Sequence, residues 1–220
     1  MPRSWFALFL LAAVTVPVHA DKPRKAPPAD PAGKYPFHDA HANEKVTIAA
    51  EPCDVQEVRP KTRLDYFHHG FMPIRVIVTN DSDQAITLDD ARILFVPEDN
   101  RVLNAATDDD LQRRLFSRKS AAGTKIPLPA PFPSITIHHP PVDKQILADE
   151  DDFGFKSTTV AAHTTAAGYL YYDTRNVDDP VLEKATLEIR KVRFASTNKA
   201  LDTFEIELKP AAAPKPAEKH

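Results

Sequence analysis

The chain has 220 residues, with 28 basic and 31 acidic side chains and a formal net charge of −3. That balance gives no electrostatic pull toward nucleic acid. One cysteine, Cys53, excludes an internal disulfide, and the five glycines are too scattered for a phosphate-cradling or dinucleotide-binding loop.

The N-terminus reads as a cleavable signal peptide over residues 1–20. Arg3 supplies positive charge, Trp5–Val16 is an apolar run, and Val18-His19-Ala20 places small residues at a cleavage site. Twelve apolar residues are too few to cross a ~30 Å hydrocarbon core as a helix. Position 21 is Asp, so no lipidated cysteine follows the cut. Cleavage removes one arginine and leaves a net charge of −4, and no later apolar stretch approaches membrane-spanning length. The expectation is a soluble periplasmic or secreted protein.

Residues 21–42 read as a Pro-rich linker and 209–220 as a disordered Pro/Ala/Lys tail, because both have too little apolar mass to offset the entropy of ordering. The folded unit then spans 43–208, one domain by length. Cys53 lies between acidic neighbours in Glu51-Pro52-Cys53-Asp54, which favours the thiol over the thiolate, and a buried, inert cysteine is expected.

Within the folded unit the apolar side chains recur every second residue. Ile74, Val76 and Val78 share one face of Pro73–Thr79, with Arg75 and Thr79 on the other. Turn chemistry follows at Asn80–Asp83, then short strands at Ala85–Leu88 and Ala91–Val96. Residues 97–155 break the rhythm and read as an insertion, the first candidate for a binding element. One helix is predicted in it: Thr107 caps Asp108, Asp109 and Asp110, while Arg113, Arg114, Arg118 and Lys119 follow toward its end, an order that complements the helix dipole. Leu111 and Leu115 would face a sheet. Ser134–His138 is a further strand, and Asp149–Asp152 reads as a solvated acidic turn whose spacing fails a calcium loop. Ala166–Tyr172 is an aromatic-rich strand. Ala185–Phe194 slips phase between Ile189 and Val192, so either a bulge sits there or two strands meet. Phe204–Lys209 alternates cleanly.

The passage Phe71–Phe95 resembles the strand, polar turn, short strand, strand sequence of bacterial extracellular immunoglobulin-like (telokin-like) domains of secreted proteins, on Val76, Val78, Thr79, Asn80, Ile86 and Leu88. The resemblance implies binding or scaffolding more than catalysis. The expected fold is all-β: an immunoglobulin-like antiparallel β-sandwich with one short helix in a long insertion.

No serine-nucleophile elbow, H-E-x-x-H or paired cysteines mark an enzyme. The leading expectation is a non-enzymatic domain without a cofactor, binding a protein or carbohydrate of the cell envelope. Tyr169 and Tyr171 share a strand face and are its candidate ligand-binding pair. A second reading is a periplasmic metal-binding protein using His38, His41, His68 and His138, since imidazole suits zinc and copper. A third is a hydrolase built on a carboxylate pair.

Overall fold

The computed structural model describes residues 24–116, 124–126, 135–137 and 141–210. The expected signal peptide, the first residues of the Pro-rich linker, and the tail from 211 onward lie outside the described residues.

Among the described residues the chain is mostly antiparallel β. One four-stranded sheet has the order β1 (His38–His41), β2 (Val46–Pro52), β3 (Phe71–Asn80) and β10 (Thr164–Asp173). A second runs β13 (Phe204–Glu207), β11 (Thr186–Arg190), β5 (Arg92–Val96) and β6 (Leu103–Asn104). A small third sheet joins β12 (Arg193–Phe194), β4 (Ile86–Thr87) and β9 (Thr159–Val160). A hairpin, β7 (Thr124–Ile126) with β8 (Ile135–Ile137), lies in the expected insertion.

The first two sheets pack face to face. Ile48, Ile74, Val76, Val78 and Tyr172 from one meet Phe95, Leu187, Ile189, Phe204 and Ile206 from the other in a single buried cluster. Side chains of this size contribute roughly 1.5–3 kcal/mol each when fully buried. The Tyr172 hydroxyl donates to the Ile93 carbonyl at 3.1 Å, so its one polar atom is satisfied within the core.

The phase slip of 185–194 is two strands meeting. Lys191 adopts φ 64° between β11 and β12, and the chain passes there from the second sheet to the third. Helix α1 (Asp108–Leu115) begins as expected, with a reciprocal capping box between Thr107 and Asp110 and with Leu111 and Leu115 buried. It ends at Leu115, and Arg118 and Lys119 lie outside the described residues.

Three expectations need correction. First, a second helix, α2 (Val142–Phe153), occupies the stretch expected to be a solvated acidic turn. Helical spacing puts Asp149 and Asp152 on one face, and Arg63 bridges them with bonds of 2.9 and 2.7 Å. Second, the Pro-rich lead packs on the body of the protein from residue 24 onward. Ala32 is fully buried against Ala49 and Ile77, its N–H donates to Thr79 Oγ1 at 2.8 Å, and His38–His41 is an edge strand. Prolines need no partner for a missing N–H, so such a segment can cross a sheet face without a ladder. Third, β3 is buried on both faces along its whole length. Its outer face is covered by the lead and by α1 and α2, which pack Leu111, Leu115, Ile146 and Phe153 onto Phe71, Tyr169 and Tyr171. The molecule therefore has three layers: sheet, sheet, and a cover of helices and lead.

One close approach depends on glycine. A Cβ at Gly168 would lie 2.3 Å from the Phe155 Cα, so only glycine lets the segment after α2 run against β10.

Candidate functional site

The sheet register separates the histidines. His41 pairs with Val46, which pairs with Asn80 at one end of β3, whereas His68 precedes Phe71 at the other. Nine steps of about 3.3 Å place these ends roughly 30 Å apart. His41 faces inward, stacked on Phe204 with centroids 3.8 Å apart and flanked by Asp39 and Glu44. His38 faces the opposite side and donates to the Tyr35 carbonyl at 2.7 Å. His68 is exposed and paired with Asp65. His138 lies outside the described residues. Among the described residues no group of three or more His, Cys, Asp or Glu is placed to hold a metal ion.

The tyrosine pair is not an open platform. Tyr169 is 4 % and Tyr171 7 % exposed, because α1 and α2 cover them. Tyr171 stacks against Tyr66 at 4.3 Å, and burial holds its hydroxyl well above the ordinary tyrosine range. Tyr66 donates to Asp149, which also accepts from the backbone N–H groups of Arg63 and Leu64. This network pins the loop before β3 to α2. Cys53 is fully buried, and burial followed by the Glu51 charge pushes its thiol up to about 12, so it has no nucleophilic character at neutral pH.

One carboxyl pair does meet. Glu150 of α2 and Asp108 of α1 lie beside the same small cavity, and desolvation followed by the Asp108 charge raises the Glu150 carboxyl. The cavity beside them is small, about 80 Å³.

A more capable site lies on the outer face of the first sheet. Glu51 of β2, Arg75 of β3 and Tyr169 of β10 stand in register as a cross-strand row. Arg75 is 5 % exposed. Its Nη1 lies 3.6 Å from Glu51, its Nη2 donates to the Pro27 carbonyl at 2.5 Å, and its Nε is buried without a hydrogen-bond partner among the described residues. The guanidinium carbon sits 5.8 Å from the centre of the Tyr169 ring, and Phe153 of α2 meets that ring edge-on.

Above this row is a groove of about 470 Å³, walled by the lead at Arg24 and Lys25 and by the loop at Glu57–Lys61. Arg59 is fixed there by donating to the carbonyls of Cys53 and Asp54 at 3.3 and 2.6 Å, with its guanidinium 3.3 Å from the Phe67 ring centre. Carbonyl partners orient an arginine without cancelling its charge. Five cations (Arg24, Lys25, Arg59, Lys61, Arg75) line the groove against two carboxylates (Glu51, Glu57), an excess of three positive charges on a chain whose formal net charge is −3. A concave, partly dry cluster of that sign attracts anions and is selective against cations.

No protein family, characterised protein or solved structure matches this chain.

Sequence reasoning reached Tyr169 but not its neighbours. Arg75 is a charge alternating with apolar residues, a pattern that by itself points to a solvated face, so its burial is legible only in the tertiary structure. The contributions of Arg24, Lys25, Arg59 and Lys61 have no local signature, because they converge only through packing.

Proposed function

We propose that this chain is an exported, non-enzymatic binding domain that holds an anionic group of a cell-envelope protein or carbohydrate in the groove over Arg75. The observation that carries the reading is Arg75 itself: a charged side chain nine-tenths buried, aimed beneath a basic groove, with one donor left unmatched. A buried guanidinium without full compensation is costly to stability, and an anion supplies what the fold withholds. Export is read from residues 1–20. An immunoglobulin-like body is the fold reading that goes with it, supported by residues 71–95 running as β3, a turn, β4 and β5.

The test is calorimetric titration with polygalacturonate, an acidic glycan, and polyglutamate, an acidic peptide, with neutral dextran as control. Binding of either acidic polymer is expected, weakening as salt rises, and the two arms tell carbohydrate from protein. The double variant Arg59→Gln/Lys61→Gln, on the loop that walls the groove, is expected to weaken binding about tenfold. Absence of binding to both polymers, or equal binding by the variant, refutes the reading.

A further inference from the structure

A second cavity, of about 540 Å³, opens where α1, the segment Val102–Ala106 and the end of β10 meet. Its charged residues are three arginines and two aspartates. Arg113 donates to Asp110 at 2.7 Å and to the Asp109 carbonyl at 3.1 Å. Arg175 holds Asp173 through Nε at 2.7 Å and through a second, shorter contact from Nη2. Each carboxylate thus already has an arginine of its own.

Arg114 is the one left over. Its Nη2 is 3.9 Å from Asp173, beyond hydrogen-bond reach, and both Nε and Nη2 are buried with no acceptor among the described residues. Asp173 itself keeps contact with solvent, and partial desolvation raises its carboxyl against the pull of Arg114. Arg175 is set in place by the backbone. Gly70 takes φ +85°, and a Cβ there would meet the Arg175 side chain at 2.3 Å, so only glycine leaves the arginine its seat. Phe71, Leu103 and Ala106 supply an apolar wall beside these charges. A local surplus of one positive charge, a guanidinium with unmatched donors and an apolar wall together describe a pocket for a charged head on a carbon body.

We infer that this cavity binds a small organic anion, a carboxylate or phosphate monoester, with Arg114 meeting the charged head and the Phe71–Leu103–Ala106 wall receiving the carbon body. The site is independent of the groove over Arg75, and neither stands on the other.

The experiment is a titration of the whole chain followed by backbone amide NMR and calorimetry. The probes are glutarate and glycerol phosphate, with dimethyl glutarate as the uncharged control. Binding of at least one anion and not of the diester is expected, with shifts at residues 103–106 and 110–114. Arg114→Gln is expected to weaken binding about tenfold, and Arg114→Lys less, because it keeps the charge but loses the fork. Should Arg114→Gln fold poorly, Val102→Trp, at a position 53 % exposed on the cavity mouth, blocks access without touching the arginine and is expected to abolish the shifts. The inference is overturned if neither anion binds at about 10 mM, a level that would detect even weak sites. It is also overturned if Arg114→Gln and Val102→Trp both bind like the parent, or if the shifts fall only at residues 57–61 of the groove.

Discussion

Tyr169 stands directly across the β3–β10 ladder from Arg75, with the guanidinium carbon 5.8 Å from the ring centre. The ring offers the buried charge a polarizable neighbour, and Glu51 on the other side offers a distant carboxylate. Neither satisfies the Nε. Replacing Arg75 with methionine keeps the stem's volume and removes the charge. Because Glu51 retains contact with solvent, Arg75→Met is expected to change stability by less than about 2 kcal/mol. Binding of acidic polymer should fall at least about tenfold in the same variant, as calorimetry would show. A large stability loss without a binding loss would assign Arg75 a purely structural role.

Asp149 is the joint between α2 and the loop before β3. It is 1 % exposed and accepts from Arg63, Leu64 and Tyr66. Asp149→Ala leaves Arg63 with Asp152 as its remaining carboxylate and strips the acceptor from the Arg63 and Leu64 backbone N–H groups and the Tyr66 hydroxyl, at an expected cost of about 2–4 kcal/mol in urea unfolding. Limited trypsin digestion of the variant should then cleave fastest after Lys61 and Arg63, because the loop loses its anchor.

Asn80 pins the turn that follows β3. Its amide nitrogen reaches the carbonyls of Gln84, Val160 and Ala161 at 2.8–3.2 Å, and its oxygen accepts from the Ser82 backbone N–H and hydroxyl. Asn80→Ala strands these groups in a buried setting and should lower stability by about 2–4 kcal/mol. The urea midpoint is the readout, with an unchanged slope expected if only the folded state is affected.

Glu150 introduces a pH dependence whose sign follows from its environment. Desolvation and the nearby Asp108 raise its carboxyl in the folded state above the ordinary value it keeps when unfolded. Its contribution is therefore fully present below the unfolded value and is lost as pH rises through the folded one. Glu150→Gln keeps a donor toward Asp108 and removes the ionisation. The variant should be more heat-stable than the parent at pH 7 and equal to it near pH 4, by thermal melts at the two pH values.

Cys53 should resist alkylation. Full burial and a thiol pushed up to about 12 leave almost no accessible thiolate. Iodoacetamide at pH 8 is expected to leave the native chain unmodified by mass spectrometry and to modify it completely in denaturant. Rapid native labelling would show that the sheet edge at Cys53 opens.

Much of the β framework was legible in the sequence because its signals are local. A two-residue apolar rhythm marks Ile74–Val78 and Phe204–Leu208, a cap with three aspartates marks α1, and a slip of phase marks the corner at Lys191. Each depends on residues only a few positions apart. The acidic run at 149–152 misled for the same reason: as a string it looks solvated, while as a helix face it is half hidden and bridged by Arg63.

The amino-acid sequence by itself marked the strands around 73–79, 85–96, 166–172, 185–194 and 204–209, where α1 starts, and that Cys53 has no partner within the chain, since those follow from periodicity, capping and composition, whereas β1 and β2 carried no such signal. The tertiary structure alone decided which face of each strand is covered. It laid the Pro-rich lead and two helices over β3 and β10, closed Tyr169 and Tyr171 away from solvent, and gathered charges from residues 24 to 75 around one groove. A strand's pattern states that one face is apolar, but what lies over the other depends on segments far away in the chain. The meaning of Arg75, a solvated charge or a buried anchor, changes with that cover.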